Sequence, residues 1–579
     1  MKLKKILAAV SAAAVMSSGT IFNVSADSED LIQKQHVMGC ITSTPEKINE
    51  FCGDAVSFAQ TRATLSSSVD LSDDPCFPEI ADQGGLGSCT AFATTYYQYS
   101  YEVNKLNGVN SSANRVIYSP KWTYNLSNNS VDLGSEIIDN YAVLMDFGAL
   151  KNEDFAYTGY QSDYTEIPDY MVEEKIEALS TRVYDVDLYE IPNSSSITSP
   201  SSLALVNIKY ALSQGKVLVS ETECDFDSEY INGRCIVYRC SDKTPGTHAV
   251  AIVGYDDNIS YDVNGNGVIE NCEKGAFKVA NSWGLEYDDY GISSVEGDED
   301  AGYFWVLYDA LNRVSANTTN NWESGLDQER YPAFATDNSP SKTSKFYSID
   351  VAHKDVKLIG ELDINTTDRE GLSVKINRTA DNITSWQSAN AITIANLTKG
   401  YVYNDDGDVL NKNVPYDGYL LFDYSSFADS VSEYISGYNW QACVEVLQTG
   451  STVASLRIID NKAQALTSFS HLSGGSTLSA YCNISYLRGD VNYSGALDAN
   501  DSIVLMNYVS MNATFSDFQI ELADYNNDNV VNVNDVLELN SALMSTASVS
   551  EQKIINEVNA RAYEYIKIYG VGGNISEIY

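Results

Sequence analysis

A chain of 579 residues with 44% hydrophobic side chains holds material for three or four domains and is no disordered polymer. It carries 36 Lys and Arg against 79 Asp and Glu, a net charge of −43, which excludes a nucleic-acid partner. Such a balance suits a soluble protein rich in surface carboxylates and cation sites.

Residues 1–26 open with Lys2, Lys4 and Lys5, run apolar from Ile6 to Met16, and close on Val24-Ser25-Ala26, the pattern of a cleaved secretory leader. The apolar run is too short to cross a bilayer and no later segment is long enough, so no membrane span is expected and the mature protein is expected outside the cell. Residues 27–68 are polar and weakly helical around Pro45–Phe58; Val69-Asp70-Leu71 then reads as a strand.

Asp82-Gln83-Gly84-Gly85-Leu86-Gly87-Ser88-Cys89 joins a Gly-rich loop to a cysteine. From Cys89 to Leu106 there is no Gly or Pro, Ala91, Phe92, Tyr96 and Tyr99 recur at helical spacing, and Asn107-Gly108 ends the run. Cys89 is therefore expected at a helix N-terminus, where free N–H groups favour the thiolate. Ser135–Asp146 and Pro200–Gln214 read as further helices. The strand-like Lys216-Val217-Leu218-Val219-Ser220 precedes His248 in the apolar run Gly246–Tyr255, one of four histidines with His36, His353 and His471. Asn281-Ser282-Trp283-Gly284 follows the strand-like Ala276–Ala280, and Gly302–Tyr308 gives a last strand.

Gln83, Gly87-Ser88-Cys89, the His248 strand and Asn281-Ser282-Trp283-Gly284, in that order, resemble the papain-like cysteine peptidases. The resemblance implies a two-lobed α+β domain, placed at 69–312, that hydrolyses peptide bonds. It assigns Cys89 as nucleophile, His248 as base, Asn281 as the group orienting the imidazole under the cover of Trp283, and Gln83 as oxyanion donor. Leu86 and Thr90 depart from the common pattern, where a cysteine and a tryptophan are frequent. Residues 27–68 become a candidate pro-region without the long inhibitory helix of the best-known members, and whether it inhibits is open. Of the ten cysteines, Cys40 and Cys52 are a possible pair, as are Cys443 and Cys482; Cys224, Cys235 and Cys240 have no solution from sequence, and one free thiol besides Cys89 is expected.

Residues 313–344, rich in Asn, Thr, Ser and Asp, read as a linker, and 345–487 as an all-β sandwich-like accessory domain of alternating short strands. Trp386, Tyr401, Tyr403 and Trp440 are candidates for a carbohydrate platform, although aromatic residues in strands are more often core. In 488–548 a segment is duplicated: Asp490–Asp501 recurs as Asp524–Asp535. Oxygen side chains stand at loop positions 1, 3, 5, 9 and 12, namely Asp490, Asn492, Ser494, Asp498 and Asp501, then Asp524, Asn526, Asp528, Asn532 and Asp535, with the Ala496 and Val530 carbonyls at position 7. That is the ligand pattern of calcium loops. Each precedes a helix-like run, and the pair resembles a dockerin, a small helical module that implies a cohesin module on a scaffold as partner, as in a cellulosome. Residues 549–579 begin with an amphipathic helix over Val549–Tyr569.

His248 and Asn281 stand 33 residues apart, more than the family usually needs. The extra chain has Asp262, Asn264, Asn266, the Val268 carbonyl, Glu270 and Glu273 at the same loop positions, a third candidate calcium site. The reading is a secreted, calcium-loaded, scaffold-tethered cysteine endopeptidase; the alternative is a catalytically weak cohesin-bound module that binds protein or carbohydrate.

Overall fold

A computed structural model describes residues 36–56, 65–312 apart from 129–131, 133 and 160–170, then 331–336 and 343–354, the strands of the later β region, and 488–571 apart from 493–496 and 516. Two lobes meet along a cleft. The first is built on one continuous helical rod: Cys89–Ala91 is α-helical, Phe92–Tyr99 is wound with i→i+5 bonds, and Ser100–Leu106 returns to α. Asn107 and Gly108, the latter at φ 66°, stop it, as the sequence predicts. Helices Pro120–Ser127 and Ile137–Asp146 pack against the rod through Trp122, Leu126, Ile138, Tyr141 and Leu144, all buried. Pro120 begins the first of these at the position where a missing N–H costs nothing, and the Ser119 hydroxyl accepts from the Trp122 N–H.

The second lobe is a nine-stranded sheet. Its centre is the antiparallel set Leu218–Ile231, Arg234–Ser260, Lys274–Ala280 and Tyr303–Leu307. Val250, Ile252, Phe277, Val279, Phe304 and Val306 fill its core. Burial of that many branched and aromatic side chains contributes about 1.5–3 kcal/mol each and sets the register firmly. Ala251 pairs with Ala280 and Ile252 with Val279, which brings His248 beside Asn281 just beyond the last pair.

The sheet runs past the boundary expected at 312. Strand Thr343–His353 pairs along its whole length with Thr181–Pro192, and Phe346 and Tyr347 also pair with Leu218–Ile231, so this segment belongs to the first sheet and not to the later β region. Its alternation reveals a strand but not which sheet receives it. Part of the expected linker is packed as well: Ala333 and Phe334 are buried, and Phe334 meets Phe346 edge-on.

Further along, Tyr416–Asp423, Leu358–Thr366, Ser451–Asp460 and Ala465–Ser470 form one four-stranded antiparallel sheet, and Ile392–Leu397, Leu372–Ala380, Trp440–Leu447 and Thr477–Ile484 form another. The aromatic platform and the Cys443–Cys482 pairing fall outside the described side chains. Helices Ala499–Val509, Val533–Leu543 and Val549–Tyr569 pack together through Leu505, Val536, Leu539, Ile555 and Val558. Among the described residues, no helix is long and apolar enough to cross a membrane.

Cys40, Cys76, Cys235 and Cys272 are free besides Cys89, and Cys240 is disulfide-bonded. More thiols are thus free than expected, and the pair suggested for Cys40 with Cys52 is not formed, since Cys40 is free on a strand in the cleft and Cys52 ends helix Pro45–Cys52.

Candidate active site

The four residues singled out from the sequence meet at the cleft. Cys89 is buried at the start of the rod, with its sulfur accepting from the Ala249 N–H at 3.5 Å, so it lies against the backbone next to His248. His248 Nε2 and Asn281 Oδ1 are 2.8 Å apart, while among the described residues Nδ1 has no hydrogen-bond partner. The Asn281 carbonyl oxygen fixes the ring by requiring a proton on Nε2. Trp283 stacks on His248 with centroids 4.6 Å apart and is itself 1% exposed, which keeps water from that bond.

Gln83 Nε2 donates to the Leu86 carbonyl and to the Val37 carbonyl, each at 2.9 Å. Its other end, Oε1, accepts from Ser282 Oγ at 2.6 Å, and two carbonyl acceptors on one side leave only one orientation of the amide. Ser282 thus positions the Gln83 amide. It stands inside the Asn281-Ser282-Trp283 motif, yet only the packing of the 83 loop on the 282 loop, where the Gln83 N–H meets the Ser282 carbonyl at 2.7 Å, reveals the role.

The sequence also gave no sign of what fills the cleft. Residues 36–43 lie along it: His36 stacks on Trp283 at 5.3 Å, the Gly39 N–H donates to Cys89 Sγ at 3.3 Å, and Cys40 pairs parallel with Ser135 and antiparallel with Thr247. Gly39 is required there, since a Cβ would stand 1.9 Å from the Gly87 carbonyl oxygen. Thr90, at the position where the family often has tryptophan, donates to the Ser135 carbonyl at 3.0 Å and lies 3.4 Å from the Gly39 carbonyl oxygen.

This cover sets the electrostatics. Burial pushes the Cys89 thiol up despite N–H groups from Ala249, Gly39 and Thr90 that favour the thiolate. Burial also pushes His248 down to about 4, against the pull of Asn281 and with the aid of His36. The helix terminus predicts an activated thiolate; under the cover, desolvation outweighs it and both groups are neutral at pH 7.

The candidate calcium loops lie elsewhere. In 262–273, Asp262 accepts from the Asn266 and Gly267 N–H groups at 3.1 and 2.6 Å, and Glu273, buried, accepts from Val263 and Glu270 at 2.9 Å each. In 524–535, Asp524 accepts from Asp528 and Asn529 at 3.0 and 2.9 Å, and Asp535 from Asn526 and Asn532 at 3.2 and 2.8 Å. Asn529 takes the left-handed turn, at φ 67°, that Gly267 takes at φ 84°. In 490–501, Asp501 accepts from Asn492 and Asp498 at 3.2 and 3.0 Å, and burial together with the Asp490 and Asp498 charges pushes it up to about 7. Ser494 and Ala496 fall outside the described residues. These oxygens are of the kind a hard divalent cation takes, but among the described residues no three His, Cys, Asp or Glu side chains are gathered in a group that could hold a metal ion.

The pattern of the papain family cysteine proteases matches residues 65–303. The chain is similar to the solved structure of xylellain, a cysteine protease from Xylella fastidiosa, at 18% identity over 55% of this chain and 99% of that one, with a TM-score of 0.35. It is similar to the cysteine protease and lectin-like domains of Cwp84, a surface layer associated protein of Clostridium difficile, at 15% identity over 73% and 89% of the two chains, TM-score 0.33. A third is proCathepsin B S9 from Trypanosoma congolense, at 17% over 47% and 80%, TM-score 0.32. No curated protein matches the chain. The family match spans the loop of Gln83, the rod of Cys89 and the strands of His248 and Asn281, and across residues 65–303 the chain carries a papain-family cysteine protease domain.

Proposed function

We propose that the chain is a secreted cysteine endopeptidase made as a latent precursor. The observation that carries the catalytic reading is the 2.8 Å contact of His248 Nε2 with Asn281 Oδ1, which leaves Nδ1 as the ring atom for the thiol proton, while the Cys89 sulfur accepts from the N–H of the next residue, Ala249. Cys89 gives its proton to His248 and attacks the peptide carbonyl, Gln83 Nε2 and the Cys89 N–H hold the oxyanion, and His248 passes the proton to the leaving amine. Water then enters and the acyl-enzyme hydrolyses by the reverse transfer.

Latency follows from residues 36–43. They put an N–H against the nucleophile where a substrate presents a carbonyl carbon, and they pair parallel with Ser135. A substrate running the opposite way pairs antiparallel there, the stronger ladder, with its acyl side toward Ser135 and its leaving side toward Trp283. Release of the segment uncovers Cys89 and His248 to water and restores the ion pair.

The leader pattern of 1–26 supports export. The two loops of 490–501 and 524–535, each running into a helix, support a calcium-dependent dockerin that tethers the enzyme to a cohesin on a scaffold, and the loop 262–273 is a third calcium site in the protease domain. Hydrolysis of an unfolded protein by the processed chain, with and without a thiol-directed inhibitor, tests the central reading. Cys89→Ala is expected to leave at most about a thousandth of the rate, the scale of residual catalysis in dismantled triads. Inhibitor-insensitive hydrolysis overturns it.

A further inference from the structure

Glu221 is a carboxylate in the wall of the cleft that the catalytic reading does not use. It lies on strand Leu218–Ile231 directly opposite Ala249, the residue after His248, and is 4% exposed beneath residues 40–42. Its charged form is stabilised by side-chain hydrogen bonds from Thr42 and Cys40, both in the covering segment, the Cys40 sulfur standing 3.8 Å from Oε2. The Lys345 charge stabilises it more than either hydrogen bond, acting through space. Burial and the Glu136 charge work the other way and its pKa is raised.

The position of Cys40 says which substrate residue meets this group. Gly39 faces the nucleophile, and Cys40, one residue further, is held between Ser135 and Thr247 with its side chain on Glu221. For a substrate of opposite polarity the residue at the Gly39 place supplies the attacked carbonyl. The residue at the Cys40 place is then the second on the acyl side. Once the segment leaves, Glu221 loses both of those hydrogen bonds and faces that side chain from a wall of low dielectric. A partly buried carboxylate so exposed is satisfied by a cation and penalises an apolar or acidic group.

We propose that Glu221 is a specificity-determining residue that selects a lysine or arginine as the second residue on the acyl side of the cleaved bond. The cysteine of the covering segment is a neutral stand-in there: it donates to the carboxylate without supplying a full charge. The proposal rests on the peptidase reading above, and its test separates the two.

The full chain, released from its covering segment, is titrated with a thiol-directed active-site reagent and then assayed on peptides that differ only in the second acyl residue, Lys against norleucine. A Lys preference of at least about tenfold in kcat/KM is expected, the low end for a hydrogen bond to a charged group. In Glu221→Gln the ratio should fall to about one, and in Glu221→Lys an acidic residue should become preferred over Lys at that position. Lys345→Met should sharpen the Lys preference. Reagent uptake and cleavage with no Lys preference, or with one that survives in Glu221→Gln, overturns the assignment of Glu221. Absence of both uptake and cleavage overturns the peptidase reading instead.

Discussion

Gln83 donates through Nε2 to the carbonyl oxygen of Val37 at 2.9 Å, so the donor proposed for the oxyanion is engaged by the backbone of the same chain. With the Gly39 N–H on the Cys89 sulfur, the segment engages both the oxyanion donor and the thiol, and it puts an N–H where a substrate presents a carbonyl carbon. The latency proposed above thus rests on polarity and desolvation together.

Loosening that contact at one atom should release it. Gly39→Val places a branched side chain where even a Cβ lies 1.9 Å from the Gly87 carbonyl oxygen and 2.2 Å from its carbon. Backbone cannot yield as a flexible side chain does, and overpacking of this kind costs about 1–3 kcal/mol, or roughly tenfold or more in the open population. The uncleaved Gly39→Val chain should hydrolyse peptide at least about tenfold faster than the uncleaved parent. Equal rates in the two uncleaved chains count against an inhibitory role for residues 36–43.

A second outcome concerns Ser282. Its hydroxyl is the partner of Gln83 Oε1 at 2.6 Å, and Gln83 is fully buried, so Ser282→Ala leaves an acceptor unpaired and the amide free to turn. Because the amide acts on charge that develops only in the transition state, kcat should fall by about tenfold with KM little changed, and Ser282→Thr should restore most of it. A fall confined to KM refutes the positioning role.

The pH dependence of latency has two arms. His36, between Asp289 at 2.8 Å and Asp82 at 3.5 Å, is lowered by burial but raised more by the two carboxylates, and the net is upward from 6.5. Protonation therefore strengthens docking; this contribution is complete below 6.5 and is lost as pH rises through the raised value. His248, which also faces His36, is pushed down from 6.5 to about 4, so its neutral ring favours the covered state above 6.5 and that contribution is lost as pH falls toward 4. Alkylation of Cys89 in the uncleaved chain, scaled at each pH to that in Gly39→Val, should be slowest between the two arms. His36→Gln should remove the alkaline arm and keep the acid one. An alkaline arm unchanged in His36→Gln eliminates His36 as its cause.

Gln83, Cys89, His248 and Asn281 were legible because each carries its own local signal: a Gly-rich turn, a helix start, an apolar strand, a strand end followed by Ser282 and Trp283. The covering segment was not, because nothing in His36–Ser43 announces that it pairs with Ser135 and Thr247, far along the chain. Strand Thr343–His353 was visible as a strand, but its partner Thr181–Pro192 lies some 150 residues earlier and no local pattern names it. Glu221 escaped notice for a related reason. One of five acidic residues in the run Leu218–Ile231, it gains meaning only when the register sets it opposite Ala249.

The loop 262–273 is the candidate calcium site inside the protease domain. It leaves strand Arg234–Ser260 and re-enters at Lys274–Ala280, so it caps the end of that hairpin remote from His248 and Asn281, and the long spacing does not disturb the pair. Its hydrogen bonds repeat those of 524–535: the position-1 carboxylate accepts from the N–H groups at positions 5 and 6, and the position-12 carboxylate accepts from the N–H at position 9 and from one at the loop start. Glu273 and Glu270 are joined by a side-chain hydrogen bond, and burial raises the Glu273 pKa. A divalent cation at this place removes the need for a proton there. Calcium should raise the melting temperature of the protease domain, since an ion that binds only the folded form at a hundredfold excess over its Kd adds about 2.7 kcal/mol. A fragment ending at Asn312 would lack strand Thr343–His353, so the measurement belongs on the full chain. Calorimetric titration of the chelator-treated chain should give one calcium site fewer in the Asp262→Ala, Glu273→Gln double variant than in the parent, with the calcium-dependent gain in protease melting temperature gone. An unchanged site count and an unchanged gain would remove this loop from the calcium-binding set.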